Sequence, residues 1–507
     1  MKVQLDGLNL SVKEVVDVSR NNYVVELPEE SVGRINRCRN YVETMISEGE
    51  SVYGLTTGFG SLSNVSIPLE DVEKLQENLI KSHAVGVGEP LSEDIVRAVM
   101  LIRVNTFVKG FSGIRLSTVQ LLVDMLNRGV HPIIPEKGSV GASGDLAPLS
   151  HMVLVMIGRG EAMFNGQRMS GKEALLYAGL SPIKLSFKEG LALNNGTTVM
   201  TAIMALNIHD SENLIKNTLV ASSLSLESLK GCSAALNENI HLARPHFGQG
   251  RCASIISKLI EGSKLVDSTT KVQDAYSLRA LPQIIGASLD SVKYIKGVVE
   301  TEMNSATDNP LIFEGKAISG ANFHGQPIAL VADFLGIAIS ELGNLSERII
   351  FRMLDPNLNE GLPAFLVKES GLNSGLMIPQ YVAAALVSEN KVLAHPSSVD
   401  SIPTCANQED HVSMGTIGAR KARDIIHNVE EIISILYMCS VQALELRNIE
   451  EGSMTAQLVH NKIREVSPYI DNDREFRIDL GKINALMKSS KILDSVERRF
   501  KLDINEK

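Results

Sequence analysis

The sequence predicts a mainly α-helical protein, with a bundle of long helices following a loop-rich N-terminal part. Three observations lead to this prediction: hydrophobic periodicity of helical type that continues for many turns, few strand patterns after the first third of the chain, and many glycine and turn residues in the first 190 residues. At 507 residues the chain is long enough to bury a large core. We therefore expect a loop-rich domain over 1–190 and a long-helix bundle, the oligomerisation core, over 191–507.

The clearest helical pattern runs from Ser413 to Arg447, where apolar residues recur at spacings of four and three. Short β-prone runs such as Val130 to Ile134 occur in the N-terminal part. The glycine-rich segments there are expected to be loops held by a rigid scaffold, where functional sites concentrate. The other predicted helices are 197–229, 327–354, 379–393 and 453–466.

Composition argues against several kinds of partner. Acidic residues outnumber basic ones by 59 to 49 without blocks of like charge, which disfavours nucleic acid or an anionic membrane as the main partner. The five cysteines are scattered and form no CxxC pair, as in a reduced cytoplasmic protein. The first twenty residues are too charged for a secretory signal, and the long uncharged stretches are interrupted by polar residues. We expect a cytoplasmic protein that does not span a membrane.

The segment Gly138 to Asp145, GSVGASGD, is the candidate for chemistry. Its glycine spacing differs from that of phosphate loops. If the Gly144 nitrogen attacks the Ala142 carbonyl carbon, a five-membered ring closes, and loss of two waters, one carrying the Ser143 hydroxyl, leaves a methylidene-imidazolone. Gly144 suits this step because it has no Cβ to block the approach. Such a ring is an electrophile, a function for which enzymes otherwise bind a cofactor. A simple turn is the alternative for the tripeptide alone.

The longer segment GSVGASGDLAPLSH resembles the signature of the histidine and phenylalanine ammonia-lyase family, whose members carry this self-made prosthetic group. The resemblance covers about residues 50–415 and implies the ammonia-lyase fold, no external cofactor, an amino acid as substrate, and a homotetramer with active sites shared among chains. The other segments that resemble family motifs, in order, are YGLTTGFG (53–60), NNGTT (194–198), QDAYSLR (273–279), TDNP (307–310), NFHGQP (322–327) and QEDHVSMG (408–415).

The resemblance implies catalytic roles for residues outside the loop. Tyr53 is the expected general base, and because an ordinary phenol titrates at about pH 10, the site must favour its phenolate. Tyr276 is a second phenol that supports proton transfer. Asn195 is expected to hydrogen-bond the oxygen of the ring, and Phe323 to pack near the ring. Helix N-termini directed at the electrophile would stabilise the phenolate and developing negative charge.

The expected substrate is histidine. Arg279 suits a substrate carboxylate because a guanidinium offers two parallel donors, and Gln273 is expected to orient the substrate. His83 lies in a Ser-His pair that resembles histidine-specific members, and Glu409 lies where phenylalanine- and tyrosine-specific members carry glutamine. An imidazole can bond both groups, whereas a phenyl ring would leave the Glu409 carboxylate buried without a partner. We therefore expect non-oxidative removal of ammonia to give urocanate.

Several alternatives stay open. Within the family they are a tyrosine or phenylalanine ammonia-lyase, or an aminomutase. A helical lyase resembling fumarase and argininosuccinase would carry a GSSxMPxKxN-type loop, which this sequence lacks. A non-catalytic helical scaffold would bind partners along its apolar seams. The histidines show no metal-binding spacing, so no metal is expected. Whether the substrate bonds to the electrophile through its amine or its ring also stays open.

Overall fold

A computed structural model of the chain describes residues 1–48, 57–62, 64–499 and 501–506. Within these ranges the protein is mainly helical, with nineteen α-helices, and none of its strands there is longer than four residues. The predicted fold class is thus confirmed. Tyr53, the expected base, lies outside the described residues.

The first eight helices are of short to medium length. Two of them begin with a capping box. Ser11 and Glu14 form the box of the helix Val12–Ser19, and Ser170 and Glu173 form that of the helix Gly171–Tyr177. These helices are α1 (Val12–Ser19), α2 (Glu29–Ser47), α3 (Val72–His83), α4 (Glu93–Val108), α5 (Leu116–Arg128), α6 (Leu146–Met156), α7 (Gly171–Tyr177) and α8 (Glu189–Asn194).

Four of the remaining helices have between 23 and 33 residues. These helices are α9 (Thr198–Ser228), α10 (Glu238–Leu242), α11 (Phe247–Leu259), α12 (Tyr276–Arg279), α13 (Leu281–Met303), α14 (Gln326–Leu354), α15 (Met377–Leu393), α16 (Gly415–Arg447), α17 (Met454–Arg464), α18 (Phe476–Lys488) and α19 (Lys491–Glu497).

In the part of the chain that the structure describes, the strands form four small sheets. They are β1 (Lys2–Gln4), β2 (Val24–Glu26), β3 (Val87–Pro90), β4 (His131–Pro132), β5 (Pro135–Lys137), β6 (Glu161–Phe164), β7 (Gln167–Ser170), β8 (Leu311–Phe313) and β9 (Lys316–Ile318). Strand β1 pairs with β2 in parallel, whereas β3–β5, β4–β6, β6–β7 and β8–β9 are antiparallel. The β3–β5 pair sets Val87 opposite Lys137, so the chain that follows His83 runs beside the start of the 138–145 segment.

The chain forms two compact units, each built from segments distant in sequence. Unit 1 comprises Met1–His209, Ile295–Asp333 and Pro396–Arg420, and unit 2 comprises Asp210–Tyr294, Phe334–His395 and Lys421–Lys507. This partition has no boundary at residue 190. The predicted division into a prosthetic-group domain and a helix bundle stays a prediction.

Unit 1 is centred on α4, which is buried on nearly all sides and packs against α1 and α5. Its burial explains why the sequence of α4 shows no amphipathic period. In unit 2 the apolar seam of α16 is core, since Val429, Ile432 and Leu436 are fully buried. Tyr437, on the same helix, donates its hydroxyl to the carbonyl oxygen of Asn217 at 3.1 Å.

One described helix, α14, is long and apolar enough by composition to cross a membrane. About two thirds of its apolar window, 67%, is buried inside the protein, which is the behaviour of a core helix.

Candidate active site

The segment Gly138 to Asp145 forms an irregular loop between β5 and α6 in unit 1. Gly144 has a φ of +68° and forms an isolated parallel bridge with Gly196. A Cβ added to Gly144 would lie 2.2 Å from the carbonyl oxygen of Gly196. Both the backbone angle and the close approach therefore require glycine at this position.

Ser143 and Asn195 are joined directly. The Ser143 hydroxyl donates to Oδ1 of Asn195 at 3.2 Å, and Asn195 is only 2% exposed. Asn195 is held in turn by Arg103, whose guanidinium donates to its carbonyl oxygen at 2.7 Å. Burial lowers the pKa of Arg103 to about 10. This value is still well above neutral pH, so the buried guanidinium remains a cation. The Asn195 amide is thus fixed beside the hydroxyl that cyclisation would remove.

The buried Asp145 carboxylate ties the loop to α9 and α16. Its Oδ2 accepts the N–H groups of Val199 and Met200 at 2.8 and 2.9 Å, which are first-turn donors of α9. Its Oδ1 accepts the hydroxyls of Ser139, at 2.8 Å, and of Thr416 on α16. Burial raises the pKa of Asp145, and these hydrogen bonds oppose that rise.

Four helices begin beside the loop. Helix α6 follows it directly, and α9 begins at the Asp145 carboxylate. Just before α14, Gly325 donates its N–H to the carbonyl oxygen of Gly141 at 3.4 Å, and just before α16, Met414 donates to that of Val140 at 2.9 Å. Helix N-termini carry partial positive charge, so negative charge that develops at this loop would be stabilised. The expected convergence of helix N-termini is observed in unit 1.

A cavity of about 210 Å³ opens onto the loop. His83 at the end of α3 lines it, together with Glu409 and the Ala142-Ser143-Gly144 tripeptide. The structure thus brings the two predicted specificity residues and the predicted electrophile to one place. The volume is below the lower limit of about 300 Å³ for drug-sized pockets, which suits a small metabolite.

Glu409 is held by Thr404, with which it forms an isolated antiparallel bridge. Their backbones exchange hydrogen bonds of 2.9 and 3.3 Å, and the Thr404 hydroxyl donates to Oε2 of Glu409 at 2.7 Å. Glu409 is half-buried, and three bonds to one residue fix where its carboxylate lies.

Phe323 is half-buried in the turn before α14, two residues before Gly325. Gln273, Tyr276 and Arg279 belong to unit 2, where they contact one another. The Arg279 guanidinium carbon lies 4.9 Å from the ring centroid of Tyr276, and this arginine donates to Oε1 of Gln273. Tyr276 is 74% exposed. The roles assigned to these residues stay predictions.

Sequence reasoning missed four residues that hold the site: Arg103, Asp145, Thr404 and Thr416. Arg103 is one of two arginines in the apolar sequence of α4, which is a signal of a buried charge, and Asp145 stands directly before a helix. Thr404 and Thr416 carry no such signal, because their partners are set by the tertiary fold.

The helical fold and the glycine-rich loop with its ordered amide and carboxylate partners define a class of lyases. The chain belongs to the aromatic amino acid lyase family, whose sequence profile matches residues 10–465. The resemblance seen in the motifs is thereby confirmed, and the non-catalytic scaffold and the fumarase-type lyase are set aside.

Particular relatives are similar over nearly the whole chain. The histidine ammonia-lyase of Alkaliphilus oremlandii (strain OhILAs) is 51% identical over 505 residues, 99% of each chain. The structure of histidine ammonia-lyase from Trypanosoma cruzi has a TM-score of 0.93 at 40% identity and covers 99% of this chain and 96% of its own. Tyrosine aminomutase from Streptomyces globisporus has a TM-score of 0.95 at 36% identity, with 98% and 99% covered. Since ammonia-lyase and aminomutase share the fold, the substrate must be judged from the site.

Proposed function

We propose that this chain is a histidine ammonia-lyase, which eliminates ammonia from L-histidine to give trans-urocanate, the first step of histidine degradation. The observation that carries the proposal is the cavity lined together by His83, Glu409 and the Ala142-Ser143-Gly144 tripeptide. An imidazole finds polar partners there, whereas a phenyl ring would desolvate the Glu409 carboxylate without replacing its hydrogen bonds. The names of the relatives that are about half identical agree with this substrate.

The electrophile in this proposal is 4-methylidene-imidazol-5-one formed from Ala142, Ser143 and Gly144, without an external cofactor. The surroundings fit such a ring, because Gly144 has no space for a Cβ and the Ser143 hydroxyl is already bonded to Asn195. When formed, this group supplies an electron-poor alkene that bonds to the substrate. The protein's part is to fix the loop through Asp145 and to stabilise negative charge with helix N-termini.

The remaining roles follow the family pattern. Tyr53 takes the β-proton and Tyr276 assists its transfer. Arg279 binds the substrate carboxylate and Gln273 orients the substrate, while Phe323 packs near the loop. The pair of Gln273 and Arg279 is already hydrogen-bonded, so the guanidinium is oriented before the substrate arrives.

Assembly as a homotetramer with shared sites is part of the proposal. Unit 2 exposes large apolar side chains on its helices, including Tyr294, Phe334, Ile337 and Tyr381, which are between 40% and 61% exposed. Their burial against other subunits would stabilise an oligomer. We place the enzyme in the cytoplasm, where its five free cysteines stay reduced.

The substrate is tested by offering histidine, tyrosine and phenylalanine to the purified protein. Urocanate, measured by its ultraviolet absorbance, is expected from histidine, with far slower release of cinnamate-type products from the other two. Chromatography for β-amino acids detects an aminomutase. Faster turnover of tyrosine or phenylalanine, or a β-amino acid as main product, contradicts the proposal.

The electrophile is tested by mass spectrometry of the tryptic peptide from Gly138 to Arg159. The wild-type peptide should be lighter than its sequence mass by two waters, and Ser143→Ala should abolish both this deficit and the activity. Ser291→Ala is the control and should change neither, because the Ser291 hydroxyl donates only to the carbonyl oxygen of Ala287 on its own helix. Full activity with an unmodified peptide contradicts this assignment.

A further inference from the structure

His83 is held in one tautomer by the end of its own helix. Its Nδ1 lies 3.0 Å from Oγ of Ser82, and that hydroxyl donates to the carbonyl oxygen of Leu79 at 3.1 Å. A serine hydroxyl has a single proton, and with that proton given to Leu79, Ser82 accepts the hydrogen bond that it shares with His83. On this ground we assign the proton of the neutral imidazole to Nδ1, which makes Nε2 an acceptor.

Glu409 supplies a second acceptor in the same cavity. Its Oε2 accepts the Thr404 hydroxyl, and no donor among the described residues bonds Oε1, which leaves that oxygen for a ligand. An ionised carboxylate accepts hydrogen bonds and cannot donate them. Two acceptors, His83 and Glu409, thus line a cavity that is about the size of a small molecule.

Burial favours the neutral form of His83. Burial lowers the pKa of His83, whereas a hydrogen bond to the Leu79 backbone and the charge of Glu409 oppose that lowering. Helices α6 and α8 pack against α3, and ionisable groups on these three helices have partners of their own. Lys81 pairs with Glu77, His151 accepts the N–H of Gly86, and Glu189 pairs with Arg115.

A neutral substrate imidazole has one N–H donor and one acceptor nitrogen. Between the acceptors of His83 and Glu409, its acceptor nitrogen would face the lone pair of a protein acceptor without a hydrogen bond. An imidazolium has two N–H donors and satisfies both groups, and its charge complements the carboxylate. We propose that the site binds the substrate ring as an imidazolium, with His83 and Glu409 as its acceptors and Thr404 as the positioning residue for Glu409. This inference rests on the proposed function, since it takes histidine as the substrate.

A protonated ring has consequences for the reaction. It withdraws electron density from the neighbouring Cβ, which makes the β-hydrogen more acidic. It is also not a nucleophile, so the substrate amine, and not the ring, bonds to the electrophile. The ring gains its proton from water on binding and returns it when the product leaves, which keeps the overall elimination unchanged.

The test measures proton uptake by calorimetry on the whole enzyme in buffers of different ionisation enthalpy. The probe is imidazole-4-propanoate, which has no amine to eliminate. At pH values above the ordinary imidazole pKa of about 6.5, binding should take up about one proton per site, and affinity should fall about tenfold per pH unit. The control is 1,2,4-triazole-3-propanoate, a much weaker base, which should bind more weakly and take up no proton.

Variants of Thr404 test the positioning role. Thr404→Val should weaken binding of the imidazole probe about tenfold, the effect of losing one bond to a charged group, and should leave the triazole probe unchanged. Thr404→Ser keeps the hydroxyl and should restore wild-type binding. A loss that is equal for both probes indicates a merely structural role and overturns the assignment.

Three other results would overturn the proposal: no uptake of a proton by the imidazole probe, equal uptake with both probes, or no binding of the imidazole probe. These measurements need no turnover. Failure of the proposed function is seen separately, as absence of urocanate when the wild-type enzyme is given histidine.

Discussion

Gly144 meets two demands at once, a left-handed backbone and a 2.2 Å approach to Gly196. We expect Gly144→Ala to prevent cyclisation and to destabilise the fold by about 1–3 kcal/mol, because the added methyl group overpacks a buried site. Mass spectrometry of the loop peptide and the melting temperature measure the two effects.

The matched control is Gly166→Ala. Gly166 has a φ of +75° but open space around its Cβ position, so this variant isolates the backbone strain. It should cost only about 1 kcal/mol and should leave the two-water deficit intact. If Gly144→Ala cyclises like the wild type, the close approach is not what selects glycine there.

Motifs revealed some site residues and could not reveal others. The Ala142-Ser143-Gly144 tripeptide was predictable because the ring closure needs those three residue types next to one another. His83 and Glu409 were predictable only through resemblance to a family, since 326 positions separate two isolated polar residues. Thr404 was not predictable, because its contribution depends on a turn whose geometry the sequence does not specify.

Helix α9 shows what local sequence information can and cannot determine. Its expected span, 197–229, differs from Thr198–Ser228 by one residue at each end, and α16 was expected to begin at Ser413 and begins at Gly415. Helix α16 carries a long apolar repeat. Helix α4, in contrast, is buried all round, so no polar face produces a period that would predict it.

Asp145 connects three elements, the loop, α9 and α16. We expect Asp145→Asn to lower the free energy of unfolding by about 2–3 kcal/mol. The NH2 group of asparagine is a donor, and it would face N–H and hydroxyl groups that are donors as well. Cyclisation should fall as well, since the loop loses its anchor. The melting temperature and the mass deficit check this prediction.

Asp124→Asn on α5 is the control for that variant, because Asp124 accepts an exposed bond from Gln120. It should change stability by less than about 0.5 kcal/mol. A wild-type melting temperature in Asp145→Asn would mean that the buried carboxylate does not anchor the loop.

Glu445 joins α16 to α17 in unit 2. Burial opposes its ionisation, yet hydrogen bonds from His460 and Arg464 hold the pKa of Glu445 at about 2. An unfolded glutamate titrates at about 4.3, so the contribution is complete above that pH and is lost as the pH falls toward about 2. We expect Glu445→Gln to cost about 1–2 kcal/mol at neutral pH, after allowance for solvent screening.

The melting temperature measured against pH checks this prediction. The variant should lose less stability than the wild type between about pH 4.3 and pH 2. Glu465→Gln, which removes an exposed pair with Lys462, should change stability by less than about 1 kcal/mol. Parallel acid curves for wild type and Glu445→Gln would show that this carboxylate does not carry the dependence.

The interleaved units could not be predicted from the sequence. Residues 295–333 and 396–420 join the first 209 residues in unit 1, and four of the five exchanges, at 209/210, 294/295, 333/334 and 420/421, fall inside helices, where no turn signal marks them. A division based on glycine content separates segments by composition, whereas compact units are defined by contacts between segments that are far apart along the chain.

The proposed tetramer predicts the effect of a charge on the exposed apolar face of unit 2. Ile337 is 45% exposed, and Ile337→Asp should dissociate the oligomer because a buried, unpaired carboxylate is costly. Activity should fall with dissociation if sites are shared. Size-exclusion chromatography with light scattering measures the mass.

Leu176→Asp is the control, since Leu176 is 68% exposed on α7. It should leave the mass and the activity unchanged. A monomeric wild-type enzyme with full activity would contradict the proposed assembly.

The hydrogen bond from Thr416 to Asp145 spans 271 positions of the chain. A ribosome adds about 5–20 residues per second, so at least about 14 s separate translation of the loop from translation of its last anchor. If cyclisation requires this anchor, a nascent chain holds an ordinary peptide at this place during that time. The finished electrophile would therefore mark a polypeptide that has been synthesised almost to its end, and truncated chains would carry no reactive alkene.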